Sequence, residues 1–75
     1  MNNRIGNTEL VTRFRYHAAS QDQIARMATL REKCLELAVM IDGFCPHSRE
    51  KSSALSSLDL VMYQANASIV RREKA

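Results

Sequence analysis

Apolar residues recur along this chain in alternating steps of three and four. Met27, Leu30, Cys34, Leu37, Ile41 and Phe44 follow the spacing 3, 4, 3, 4, 3, which is the seam of a helix packing lengthwise on another helix. Ser20 precedes the series and Gln23 stands three places on, the pairing of a capping box, while Asp22 in the first turn complements the helix dipole. Gly43 and then Pro46 supply an end, so the pattern predicts a helix over 21–43. A second seam, Leu55, Leu58, Met62, Ala65 and Ile69, has the spacing 3, 4, 3, 4. It predicts a helix over 48–72, with Ser48 as its cap, Glu50 in its first turn, and Arg71, Arg72 and Lys74 crowding its end. A link of a few residues forces the two helices antiparallel. The expected fold is all-α: a two-helix hairpin over 20–75 behind an irregular N-terminal arm over 1–19. Both helices carry further apolar residues off the seam: Leu60, Tyr63, Ala67 and Val70 on the second, Ala28, Leu35 and Val39 on the first. A two-helix hairpin has one partner face per helix, so this second stripe predicts a homo-oligomer.

Composition narrows the function classes. Seventy-five residues make at most one small domain, which buries only about 60% of its unfolded surface and needs a staple or partner. Two glycines and one proline leave little material for the turns of an all-β fold. Two cysteines make no disulfide framework. No leader-like segment and no apolar run of about 18 residues is present, so the expected location is the cytoplasm, with Cys34 and Cys45 reduced. The 11 Lys and Arg against 8 Asp and Glu give a mild +3. Eight of the eleven cations are arginine, whose planar fork suits phosphate better than the point charge of lysine.

Catalytic chemistry finds no foothold. His17, Cys34, Cys45 and His47 lack zinc-ligand spacing, Cys45 beside Pro46 and His47 reads as a small packed residue at the hairpin turn, and no glycine-rich loop exists to cradle a phosphate. No metal and no cofactor are expected. The arm offers a binding element instead: Arg13-Phe14-Arg15-Tyr16-His17 alternates cations with aromatics, a pattern suited to base stacking and phosphate contact in an extended segment. The competing structural reading has Phe14 and Tyr16 pinning the arm onto the hairpin. Arg31 and Lys33 lie on different faces of the first helix. Asn66, between Ala65 and Ala67, fits a register device at a close helix contact.

Taken together, Phe14-Arg15-Tyr16-His17, the block Cys45-Pro46-x-Ser48-Arg49-Glu50-Lys51-Ser52-x-Ala54-Leu55 and the later Ala65-Asn66-Ala67-x-Ile69 resemble the phage anti-CBASS sponges of the second type. The resemblance spans 13 to about 72. It implies a non-catalytic homohexamer of helical hairpins that sequesters cyclic oligonucleotide messengers in the host bacterial cytoplasm and so blocks CBASS immunity. It further implies two kinds of pocket between protomers. In one, Tyr16, with Phe14 and His17 beside it, stacks on a cyclic dinucleotide whose phosphates meet Arg31. In the other, Arg72 holds a cyclic trinucleotide with Lys33 at the accompanying position, Arg71 taking the place of Arg72 if the register shifts by one. Two departures stand out: Gln64 precedes Ala-Asn-Ala where the family carries an aromatic, and Lys33 replaces a small hydroxyl residue. The alternative function is a small basic helical nucleic-acid-binding protein; acidic residues interspersed on both helices oppose a continuous phosphate backbone. Neither a membrane nor a long nucleic acid is an expected partner.

Overall fold

The computed structural model describes residues 4–73, and the regular elements among these are all helices: α1 (Asn7–Phe14), α2 (Gln21–Phe44) and α3 (Arg49–Arg72). Helices α2 and α3 pair as a hairpin. Lys74, expected to add charge at the end of the second helix, lies outside the described residues.

The caps form as their residue types require. Ser20 Oγ accepts from the Gln23 backbone N–H at 3.2 Å while the Ser20 N–H donates to Gln23 Oε1 at 3.0 Å, closing both halves of the capping box. Ser48 Oγ accepts from the Lys51 N–H at 3.1 Å and starts α3. The end of α2 is a correction. Gly43 stays helical and no glycine adopts a positive φ; the helix runs to Phe44 and stops because Cys45, preceding Pro46, is held extended at φ −95°, ψ 137°. Lys51 then clasps the turn, its ammonium donating to the Asp42 carbonyl at 2.8 Å and pairing with Asp42 Oδ1 at 3.0 Å.

Two expectations about packing need revision. The inward face of α2 is Gln23, Met27, Leu30, Cys34, Ala38 and Ile41, all half-buried, whereas Leu37 (45% exposed) and Phe44 (79%) turn outward. A straight α-helix drifts by about 20° per heptad against a 3.5-residue repeat, so a strict 3-4 seam rotates off the partner toward its end. On α3 the seam Leu55, Leu58, Met62, Ala65 and Ile69 is half-buried throughout.

The arm is the second revision. It carries a two-turn helix, α1, in place of an irregular chain, and Phe14 and Tyr16 do not pin it: they are 82% and 90% exposed. An ion pair does the work. Glu9 on α1 accepts two hydrogen bonds from Arg72 at the end of α3, at 2.8 and 2.7 Å, and one from Arg13 four residues on at 2.7 Å.

The resulting molecule is a slab 45 × 39 × 14 Å in extent, one helix thick, and no described residue is buried. It exposes 6410 Å²; a compact monomer of its mass exposes about 4,650 Å². The surplus includes the second stripe, for Leu35, Val39, Leu60 and Tyr63 are all exposed. No helix among the described residues is long and apolar enough to cross a membrane.

Candidate functional site

Tyr16 with His17, Arg31, and Arg71 with Arg72 fall in three different concavities, and Phe14 and Lys33 line none of these. The first is a cleft of about 570 Å³ between the post-α1 segment, the start of α2 and the end of α3, lined by Tyr16, His17, Ala18, Ser20, Asp22, Gln23, Val70 and Glu73. Tyr16 stands at its rim with its ring free to stack. His17 lines the cleft with one ring nitrogen engaged: its Nε2–H donates to the Thr12 carbonyl at 2.6 Å, satisfying one of the orphan carbonyls at the end of α1. Phe14, the last residue of α1, does not line the cleft.

The electrostatics of that cleft run against an anionic ligand bound by one chain. Its charged lining residues, Asp22 and Glu73, are both carboxylates. They are neutralised from behind by Arg26, whose guanidinium donates to Glu73 Oε1 and Oε2 at 2.6 Å each and to Asp22 at 2.9 Å. The Arg26 hydrogen bonds, assisted by one from Gln23 Nε2 at 3.0 Å, hold the Glu73 carboxyl down at a pKa of about 2, and the same contacts push the Arg26 pKa up. Gln23 Nε2 also donates to the Ile69 carbonyl at 3.2 Å, so one side chain caps α2 and ties it to α3. Arg26 is not among the site residues the sequence points to, and Gln23 enters there only as a helix cap. The spacing of Asp22 and Arg26, four apart on a helix, was the available signal.

Arg31 lies elsewhere, in an apolar groove between α2 and α3 with Cys34, Leu35, Ala38, Leu55, Leu58, Asp59 and Met62. It forms no ion pair among the described residues. Eight residues separate it from Gln23, about 12 Å along the helix axis, so one chain does not bring Tyr16 and Arg31 to one small ligand.

The third concavity, about 320 Å³, sits on the exposed side of the α3 end and is lined by Gln64, Ala67, Ser68, Arg71 and Arg72. Both candidate arginines border it, in different states. Arg72 is engaged by Glu9, whose carboxylate raises the Arg72 pKa and is itself held at about 2 by Arg72 and then Arg13. Arg71 makes no hydrogen bond or ion pair among the described residues. Lys33 is remote from this lining and pairs with Glu36 at 3.3 Å on the surface of α2.

With this geometry in place, comparison with known proteins is decisive for the family. The family model described as Acb2/Tad1, hairpin domain, matches residues 6–70. The chain belongs to the Acb2/Tad1 hairpin family. That is the anti-CBASS type 2 family of cyclic oligonucleotide sponges, as the sequence resemblance implied. No curated protein and no solved structure matches the chain. As an Acb2/Tad1 hairpin the protein falls in a family that binds rather than catalyses. The matched span contains Tyr16, Arg31 and Lys33 and stops just short of Arg71 and Arg72.

Proposed function

We propose that this chain is a homo-oligomeric sponge, hexameric by its family resemblance, that captures cyclic dinucleotides and cyclic trinucleotides and thereby withholds them from CBASS effectors in the host cytoplasm. The observation that carries this reading is the division of the dinucleotide site: Tyr16 is 90% exposed at the rim of a cleft whose charged lining is acidic, and Arg31, without an ion pair among the described residues, stands in a separate groove. A second protomer supplies what each lacks. Around a twofold axis the aromatic and the arginine are each presented twice, matching a ligand with two bases and two phosphates. Stacking contributes about 1–3 kcal/mol per base, and the arginine forks add charge-assisted bonds at the phosphates.

Two further features support assembly. Leu35, Val39, Leu60 and Tyr63 of the second apolar stripe stay exposed, and Asn66 Oδ1 is buried with no donor among the described residues, an acceptor that a neighbouring protomer can satisfy. At the α3 end, Arg71 and Arg72 from chains meeting at a threefold axis form the trinucleotide site, with Lys33 contributed across the interface. Binding breaks no bond in the ligand; capture alone removes the messenger.

Calorimetric titration with a cyclic dinucleotide, a cyclic trinucleotide and a linear oligonucleotide control tests this. Tight binding of the cyclic dinucleotide is expected, lost in Tyr16→Ala and in Arg31→Ala with the oligomer intact. Unchanged affinity in both variants overturns the site, and failure of the wild-type protein to bind either ring overturns the function.

A further inference from the structure

The carboxylate on Arg72 has the geometry of a bound ligand. Both guanidinium Nη atoms reach the two oxygens of Glu9, at 2.8 and 2.7 Å, the fork-to-fork arrangement that arginine also makes with phosphate. The pair closes across 63 residues of sequence, joining α1 to the rim of the concavity at the α3 end, and the adjacent Arg71 is left unpaired. We propose that Glu9 is an internal occupant of this anion site: it stands in for phosphate on Arg72 in the free protein and sets the affinity for a cyclic trinucleotide, which must displace it. The proposal rests on the trinucleotide half of the function given above.

The arrangement lets the exchange proceed without stranding a charge. Glu9 Oε2 also accepts from Arg13 Nε at 2.7 Å, within α1. When a phosphate takes Arg72, Glu9 keeps Arg13, and the side chain, about one-third exposed, is rehydrated. Displacement therefore costs one partly solvated ion pair, and α1 loses its tether to α3. Exposed pairs are weak, so Glu9 tunes the site and does not shut it. Its negative charge also opposes the ligand's phosphates directly, which makes the site more selective for a ligand able to offer several phosphates at once.

Glu9→Gln is the direct test. It keeps the size of the side chain and one acceptor for Arg72 but removes the competing charge. Titrated with cyclic triadenylate, the variant should bind about two- to fivefold more tightly than the wild-type protein, the range expected for loss of an exposed pair; a residue with only a structural role would give weaker binding. Unchanged or weaker binding overturns the proposal. If both proteins bind a cyclic dinucleotide and neither binds the trinucleotide, the proposal fails and the dinucleotide sponge stands; if neither ring is bound, both readings fail. A second measurement needs no variant. In the wild-type oligomer, backbone hydrogen exchange over residues 7–14 should speed up when cyclic triadenylate is added, and unchanged or slowed exchange there overturns the proposal.

Discussion

With no residue buried among those described, the chain has little to hold it folded alone, and dilution should reveal this. The 6410 Å² left exposed exceeds the value for a compact monomer of this mass by roughly 1,750 Å², about twice the roughly 800 Å² that each partner contributes to a standard interface. If association covers that surplus, each tenfold dilution removes about 1 kcal/mol of stability per protomer. For a domain of this size that lowers the Tm by about 4–8 °C. Leu35 gives the same argument at a single position. It is 58% exposed on the flank of the α2–α3 groove, where Cys34 and Ala38 beside it turn further inward. Full burial of a leucine contributes about 1.5–3 kcal/mol, so covering the exposed part contributes roughly 1 kcal/mol. Leu35→Ala should therefore lower the Tm by about 4–8 °C and shift the sedimentation profile toward smaller species. Thermal unfolding by circular dichroism across about a hundredfold range of concentration, beside sedimentation velocity, reads both effects. A Tm independent of concentration, with a folded monomer in the centrifuge and a neutral Leu35→Ala, would refute the reasoning.

Two further outcomes follow from the caps and ion pairs. Ser20→Ala removes the acceptor for the Gln23 N–H and should cost about 1 kcal/mol, read as a drop in Tm; a neutral substitution would show that Gln23, through Ile69 and Glu73, holds the start of α2 unaided. Glu9 and Glu73 are held at about 2, against an ordinary 4.5, by their arginine partners. Since the folded values lie below the unfolded ones, their contribution is full above pH 4.5 and is lost as pH falls toward 2. Stability measured against pH should fall through that window, and the double variant Glu9→Gln with Glu73→Gln should flatten the profile; an equally steep fall in the double variant would place the acid sensitivity elsewhere.

The hairpin was legible because its determinants are local. Ser20 with Gln23, Ser48, and apolar residues at steps of three and four act within a turn or two of helix, where sequence neighbours are spatial neighbours. The helix α1 was not legible for the opposite reason. Eight residues containing Thr8, Val11 and Thr12 make a poor isolated helix, and what anchors it is Arg72, 63 positions away. A faint signal was present in Glu9 and Arg13, four apart, and in Leu10, Val11 and Phe14 along one side. The expected seam of α2 holds at Met27, Leu30, Cys34 and Ile41, while Ala38 takes the inward place of Leu37 and Phe44 turns out, because a straight helix drifts against a strict 3-4 repeat. For the pockets, residue type was legible and convergence was not. Tyr16, Arg31 and Arg72 were picked out by chemistry and family resemblance, yet within one chain they occupy three separate concavities, and no pattern along a chain encodes which of its surfaces converge in space.

The one-helix-thick slab also has a consequence for dosage. Where folding draws on neighbours, a newly made protomer below the association threshold is a substrate for proteases before it is a binder. Messenger-capturing capacity should then rise more steeply than the amount of protein synthesised, nearly absent at low expression and abrupt once assembly sets in. A sponge built this way would be governed by how fast it is made as much as by how tightly it binds.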